Sequence, residues 1–400
     1  MISVLLIAEI GAYMGVRAYI LNTTSINIKK FTWIWWGVTF IFYVILFSGR
    51  NIENVYLKNI LINIFFFLLI SKLVISLTFM IASLINWIRE WFLSVSGLER
   101  IELLASRRKF VGQLALASAI LPLSTLSWGL FRTAYNFKLH REKVASPRIP
   151  RAFHGFRILQ ISDIHTGSLQ GDHQLQKAID LIKAEKPDMI VFTGDLVNNR
   201  TNEAYPYKSI LSQLSAPYGV YSTLGNHDYG DYDKWDSKED KDQNMREMID
   251  FHKEIGWELM LNENVRIEKD DNFFTLLGIE NWGGNLNFKR YGDMKRAYEN
   301  VDSNSFQILL SHDPSHWNIE VIEAYKEIDL TLSGHTHGFQ FGIEIPGFKW
   351  SPSKYFYPHW AGIYGTESQK LYVNRGLGCL GYMGRIGIRP EITIIELQCV

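Results

Sequence analysis

The sequence predicts an α/β domain set behind a helical membrane region. Two observations carry this. Residues 1–131 are dominated by long apolar runs, whereas 151–400 have ordinary soluble composition. From Phe156 onward, short apolar strands alternate with stretches of helical spacing. A chain of 400 residues has room for both parts. Charge is balanced, 41 basic against 41 acidic residues, which removes the global basic footprint of a nucleic-acid binder. Cys379 and Cys399 form neither a disulfide framework nor a zinc knuckle and are expected as free thiols.

Four apolar stretches, 2–21, 31–48, 60–88 and 110–131, approach or exceed the ~20 residues that cross a bilayer. Trp33, Trp35 and Trp36 open the second with an interfacial aromatic belt. Glu9 and Arg17 lie in the first and Lys72 near the middle of the third. Charges at membrane depth usually face the bundle interior and find partners. A Glu9–Lys72 pair is one reading, and snorkelling to an interface is the other. The fourth stretch contains Pro122 and is preceded by Ser106-Arg107-Arg108-Lys109-Phe110-Val111, which resembles a twin-arginine export signal. The plainer reading is positive-inside flanking charge. Both readings put Arg107–Lys109 in the cytoplasm and the residues beyond the fourth stretch outside, with that stretch kept as an anchor. Residues 1–135 are thus read as the membrane region, 136–154 as a polar, basic linker containing Pro147 and Pro150, and 155–400 as the soluble domain.

In the soluble part the first strand, Arg157–Ile161, runs into Ser162-Asp163-Ile164-His165. A helix is expected over 175–184, closed by Pro187. The second strand, Met189–Thr193, ends in Gly194-Asp195. The strand at 220–224 ends in Gly225-Asn226-His227-Asp228. After a strand at 274–279, those at 306–310 and 328–332 end in Ser311-His312-Asp313 and Ser333-Gly334-His335-Thr336-His337-Gly338. A lone Asp-x-His is an ordinary hydrogen-bonded loop. Five apolar strands each ending in Asp or His point instead to a shared site at their carboxyl ends, where open α/β sheets bind ligands. The inventory is Asp163, His165, Asp195, Asn226, His312, His335 and His337. Mixed carboxylate, amide and imidazole donors suit Mn, Fe, Zn or Ni, and seven suit two ions sharing a bridging carboxylate.

The order Asp-x-His, Gly-Asp, Gly-Asn-His-Asp, His, Gly-His-Thr-His resembles the calcineurin-like metallophosphoesterase superfamily over about residues 155–400. The runs Leu371-Tyr372-Val373-Asn374-Arg375-Gly376-Leu377-Gly378 and Arg389-Pro390-Glu391-Ile392-Thr393 look like its membrane-associated or twin-arginine-exported bacterial branch. That branch includes relatives acting on UDP-2,3-diacylglucosamine. The resemblance implies an αββα sandwich of two mixed sheets flanked by helices. It implies two divalent ions, Mn, Fe or Zn, with Asp163, His165 and His337 on the first. Asn226, His312 and His335 would bind the second, and Asp195 would bridge them. It further implies hydrolysis by a metal-bridging hydroxide, with His227 protonating the leaving oxygen and Asp228 orienting His227. Phe339 stands where close relatives often have Gly.

Three functions remain open on the sequence. One is a membrane-anchored phosphoesterase acting outside the cell on a phosphodiester, pyrophosphate or phosphomonoester. The second is a cytoplasmic-face pyrophosphatase of UDP-2,3-diacylglucosamine. The third is a non-catalytic metal-dependent membrane sensor, which His227 beside a full ligand set disfavours. Residues 339–364 hold nine aromatic side chains broken by Pro346, Pro352 and Pro358, which argues against a helix or one long strand. Those rings are expected to line an apolar slot for a lipid-linked or amphiphilic phosphate ester, to rest at the bilayer interface, or to fold back over the core. With the domain already tethered by four segments, the substrate is the favoured use of exposed rings. His140, His154, His173, His252, His316 and His359 are expected as surface or linker residues. The expected partners are the bilayer and the substrate, with no nucleic acid; oligomeric state is open.

Overall fold

A computed structural model describes every residue except Met1, 24–25, 49–54, 97–103, 285–287 and 367; the side chains of 104–109, Arg107–Lys109 among them, also lie outside the description. The chain divides into two compact units, Met1–Trp128 and Gly129–Val400.

The first unit contains α1 (Ile2–Thr23), α2 (Ile28–Ser48), α3 (Val55–Ser96) and α4 (Leu104–Ser118), and α5 (Ile120–Phe131) ends beyond it. By length and composition, three candidate membrane spans stand out among the described residues: Ser3–Leu21, Leu57–Ser96 and Phe110–Tyr135. The second expected stretch, 31–48, is helical within α2. The fourth is not one helix, because α4 and α5 meet at Ala119. Pro122 accounts for the break: it has no N–H to donate to Ser118, and its ring crowds that carbonyl. Lys72 Nζ lies 2.5 Å from Glu9 Oε1, so the pair forms and the snorkelling alternative falls. Tyr43 donates to the same carboxylate oxygen at 3.1 Å and Thr39 to the other at 3.4 Å. One acid thus ties α1 to both α2 and α3.

The second unit is an αββα sandwich. Its first sheet has the order β1 (Lys138–Ser146), β14 (Glu391–Cys399), β2 (Arg157–Ile161), β3 (Met189–Thr193), β4 (Val220–Thr223), β5 (Glu258–Leu259). The second runs β12 (Gly362–Gly365), β13 (Lys370–Val373), β9 (Leu330–Ser333), β8 (Gln307–Leu310), β7 (Asn272–Gly278), β6 (Glu263–Lys269). Strand alternation builds the layers. Met189 and Val191 face the core between the sheets with Ile308, Leu332 and Tyr372. Ile190 and Phe192 face the other way, onto α6 (Asp172–Glu185) through Ile179 and Ile182 and onto Met248 and Phe251 of the helix Lys238–Glu254. On the outer face of the second sheet, Leu309 and Val373 meet Trp317 and Val321.

The expected linker is not one. Residues 138–146 form β1, paired in parallel with β14 along all of its length. Val144 enters the core while Arg141 and Lys143 point outward to Glu185 and Glu396. That run of charges is how an edge strand discourages pairing with another chain, and it gives the segment the composition of a linker. The aromatic region 339–364 is also more ordered than expected: it holds a two-stranded sheet, β10 (Ile343–Ile345) against β11 (Phe348–Trp350), before β12 begins.

Candidate metal centre

Each predicted donor comes directly after a strand. Asp163 and His165 leave β2, Asp195 leaves β3, Asn226 leaves β4, His312 leaves β8, and His335 and His337 leave β9. The two sheets are cross-tied at this edge: Gln160 donates to the Ser333 carbonyl at 2.9 Å, and His312 Nδ1 donates to the Thr193 carbonyl at 2.7 Å. Donors as far apart in sequence as Asp163 and His337 are thereby brought within 3.2 Å of each other.

The donors fall into two groups, Asp163–His165–His337 and Asp195–His312–His335, each with its ligand atoms within 4.8 Å of one another. Nε2 of His165 and Nε2 of His337 are 3.0 Å apart, and His335 Nδ1 is 3.2 Å from His312 Nε2. Asp195 stands between the groups, its Oδ2 3.1 Å from His312 Nε2 and 3.6 Å from His165 Nε2. The Asn226 side-chain oxygen is buried without a hydrogen-bond partner, while its amide donates to Tyr232 at 2.9 Å. An orphaned buried carbonyl in a site where His165, His312 and His337 turn Nε2 inward and His335 turns Nδ1 inward fits divalent cations. The backbone is shaped for the same end. Asp163, His165, Asp195, His335 and His337 all adopt positive φ, between 48° and 72°. Such residues cost about 1–2 kcal/mol each and persist where surrounding structure over-determines them. A Cβ on Gly225 would stand 2.2 Å from Asp195 Oδ1, and one on Gly334 would stand 2.3 Å from Asp163 Oδ2.

Burial and charge oppose each other here. Burial resists ionisation of Asp163 and Asp195, but the adjacent imidazoles, His337 and His312 respectively, outweigh it and hold both carboxyls well below their usual range. Burial depresses His312 too, yet the Asp195 carboxylate wins and raises it to about 10. Burial pushes His165 down to about 3, leaving it neutral with a lone pair to offer. A cation at His312 Nε2 would take the place of the proton that Asp195 attracts there.

His227 is half-buried, with its ring edge-on to His165 at 5.0 Å. Its Nδ1 donates to the Asn198 carbonyl at 2.7 Å. Asp228 therefore does not orient it, contrary to expectation. The Asp228 carboxylate instead accepts the backbone N–H groups of Asp195, Leu196, Val197 and Gly225, at 2.8–3.2 Å. Asp228 braces the loop carrying Asp195. The reason is directional: a carboxylate one residue from His227, on a turn, aims into the loop beneath rather than at the neighbouring ring.

Other residues at the site have no signature in the sequence motifs. Tyr357 OH meets His335 Nε2 at 2.7 Å, and Phe288 packs edge-on to the same ring at 5.3 Å. Asn198 accepts from His165 Nδ1 at 3.1 Å. Arg385 is fully buried, its Nη2 donating to the carbonyls of Arg375, Gly376 and Gly378 and lying 3.3 Å from His337 Nδ1. Tyr357 lies in the aromatic run 339–364, which is a signal of a kind; nothing in Gly384-Arg385-Ile386-Gly387 marks a buried cation. The histidines expected at the surface divide. His252 and His316 are fully buried, bonded to Ser222 and to Ser311 and Glu320, and His140 lies in β1. Trp360 packs in a small core with Ala361 and Ile388 and is not available to a substrate.

Residues 156–339 match the family described as calcineurin-like phosphoesterase, and residues 1–134 match the probable calcineurin-like phosphoesterase transmembrane domain. The chain is 30% identical over 299 residues to the uncharacterized metallophosphoesterase YkuE of Bacillus subtilis, covering 73% of this chain and 98% of that one. A transmembrane protein with metallophosphoesterase domain from Danio rerio is 28% identical over 280 residues, 68% of this chain and 60% of its own length. The UDP-2,3-diacylglucosamine pyrophosphatase LpxG of Chlamydia muridarum is 28% identical over 334 residues, 72% of this chain and 98% of its own. The protein is a membrane-associated phosphoesterase hydrolase of the calcineurin-like metallophosphoesterase family.

Proposed function

We propose that this protein hydrolyses a phosphodiester or pyrophosphate bond in a lipid-linked or amphiphilic substrate, on the outer face of the membrane. The observation that carries the reading is the pairing of two donor groups across Asp195 with His227 alongside. Asp163, His165 and His337 would hold one divalent ion, and Asn226, His312 and His335 the other. Two ions held there supply Lewis acidity toward the phosphoryl oxygens and an acidified water as nucleophile. The chain's own residues do the rest. Asp195 takes a charge position common to both groups. His227, fixed by Asn198 through Nδ1, has no partner at Nε2 among the described residues and is the group placed to give a proton to the departing oxygen. The brace of Asp228 keeps Asp195 in its left-handed conformation.

A screen of Mn-loaded full-length protein against mono-, di- and pyrophosphate substrates tests the reaction class. Turnover confined to phosphomonoesters would overturn it. The Chlamydia relative supports a second reading, a pyrophosphatase of UDP-2,3-diacylglucosamine on the cytoplasmic face. A reporter active only outside the cytoplasm, fused after Val400, separates the two. It is expected to be active, and silence with a working cytoplasmic reporter would favour the second reading.

A further inference from the structure

The β10–β11 hairpin is amphipathic in the reverse of the usual sense. Its register pairs Ile343 with Trp350, Glu344 with Lys349, and Ile345 with Phe348. One face therefore carries Ile343, Ile345, Phe348 and Trp350, and the other carries Glu344 and Lys349. The charged face is turned to the domain at the half-buried Glu344, while the exposed Lys349 reaches back to it with its amine. Glu344 pairs with Lys138 and Arg375, each at 3.2 Å, and Lys349 donates to the Ala361 carbonyl and to Tyr364. The apolar face is left outside, with Ile343, Ile345 and Phe348 50%, 58% and 53% exposed. Phe341 beside them is 45% exposed, and its ring meets Trp350 at 6.4 Å. Pro346 and Gly347, the latter at φ +79°, make the tight turn that presents this face as one sheet. Contiguous exposed apolar surface of this kind marks an interaction site.

The occupant is indicated by where the hairpin is rooted. Ile386 donates its N–H to the Gln340 carbonyl at 2.7 Å and accepts that of Gly342 at 2.9 Å. The last turn of α5 is packed on the same segment. Gly129 accepts the Arg385 N–H at 3.2 Å, and a Cβ there would stand 3.1 Å from Ile386. Gly129 belongs to the candidate span Phe110–Tyr135. The hairpin base and the exit of a membrane span thus grip one short piece of chain, and Phe131 at that exit is 68% exposed. Tyr355 and Phe356, each 70% exposed, add rings that favour the lipid–water boundary, and Lys354 beside them suits anionic head groups.

We propose that the hairpin Ile343–Trp350 docks its apolar face into the lipid bilayer. It enters beside Gly129–Phe131, the residues of α5 that belong to the second unit. The inference goes beyond the proposed reaction, since docking needs no catalysis and stands if the substrate reading fails. It also keeps His337 within about 20 Å of the docked hairpin, the reach of the six residue steps from His337 to Ile343.

Spin labels test it in the full chain reconstituted into vesicles of phosphatidylcholine and phosphatidylglycerol. Labels go on Ile345→Cys or Phe348→Cys in a Cys399→Ser background, Cys379 being buried. Lys183→Cys on the exposed side of α6 is the reference. Labels at 345 and 348 are expected to collide with oxygen several-fold more often than with a water-soluble nickel complex, the reverse of Lys183. Water-like collision at both positions would overturn the proposal. Protection from both reagents would also overturn it, in favour of a protein cover such as a second copy. A label on Ile343→Cys, read with and without the double change Ile345→Asp and Phe348→Asp, guards against a local artefact. The acidic pair is expected to return it to water while the protein's melting temperature holds. A label still in lipid would show that these side chains do not anchor the hairpin.

Discussion

Asp163, Asp195 and His312 are fully buried groups that carry charge, whereas Ile343, Ile345 and Phe348, a few residues beyond His337, are apolar and half in the open. The donor edge and the hairpin invert the ordinary partition of side chains in opposite directions. They also arise differently. The edge is assembled from five strand ends scattered from Asp163 to His337, with the two sheets cross-tied through Gln160 to Ser333 and His312 to Thr193. The hairpin is made by eight consecutive residues and one turn. Polar groups buried together have to be paired, so the edge is over-determined by its own geometry. The hairpin is determined by the domain's claim on Glu344 and Lys349, which leaves its apolar face to whatever phase lies outside.

The comparison is most easily broken at Asp195. If the edge is one cooperative site, Asp195→Asn should lose metal from both groups at once, falling from two ions per chain toward none by native mass spectrometry, with activity lost in parallel. Retention of both ions would separate the two groups. His227→Asn should leave both ions in place and lower turnover by about 10²–10⁴, the usual worth of a placed general acid. The loss should be smallest for nitrophenyl esters, whose leaving groups need little protonation. An equal loss across leaving groups would refute the acid role.

Asp228→Asn sharpens the distinction between acting and bracing. An amide offers one acceptor oxygen where the carboxylate serves four N–H groups, so orphaned donors should cost about 1–3 kcal/mol of stability. Turnover should fall equally for good and poor leaving groups, which a role in orienting His227 would not produce. At neutral pH the smallest effect lies away from the edge, at His252, and it grows only in acid. Burial pushes its imidazole from 6.5 down to about 3. The unfolded chain takes up a proton near pH 6.5 that the folded protein refuses. Stability is therefore full above that pH and falls as pH drops toward 3, by about 1.4 kcal/mol per unit. In denaturant titrations of metal-free protein at several pH values, His252→Asn should lower the slope by about that amount, the buried His165 keeping its own share.

The donor edge is readable from the sequence because its motifs are local: a β run, then Gly or Ser, then Asp, Asn or His. The strands Arg157–Ile161 and Met189–Thr193 coincide with those expected, since uninterrupted β-branched and apolar runs bounded by polar turns have few alternatives. The features that are not legible are of another kind. β1 reads as a linker because an edge strand needs only one buried residue, Val144, and spends the rest on charge. Asp228 reads as the partner of His227 because adjacency in sequence says nothing of direction at a turn. Arg385 is invisible because most of its hydrogen bonds go to carbonyls, which no side-chain pattern announces. Arg375 and Glu391, which sequence ties only to a family branch, form a buried ion pair, with Tyr372 and Thr393 donating to the same carboxylate.

The Glu9–Lys72 pair has a consequence for how the chain is made. Its members are 63 residues apart, in the first and third helices. At a synthesis rate of about 5–20 residues per second, Lys72 emerges about 3–13 s after Glu9. For that interval the first helix carries a carboxylate without its cation, with only Thr39 and Tyr43 of the second helix arriving meanwhile. The first helix is thus a poor candidate for release into lipid on its own. It should wait at the insertion machinery until the third helix supplies the charge that lets all three leave together.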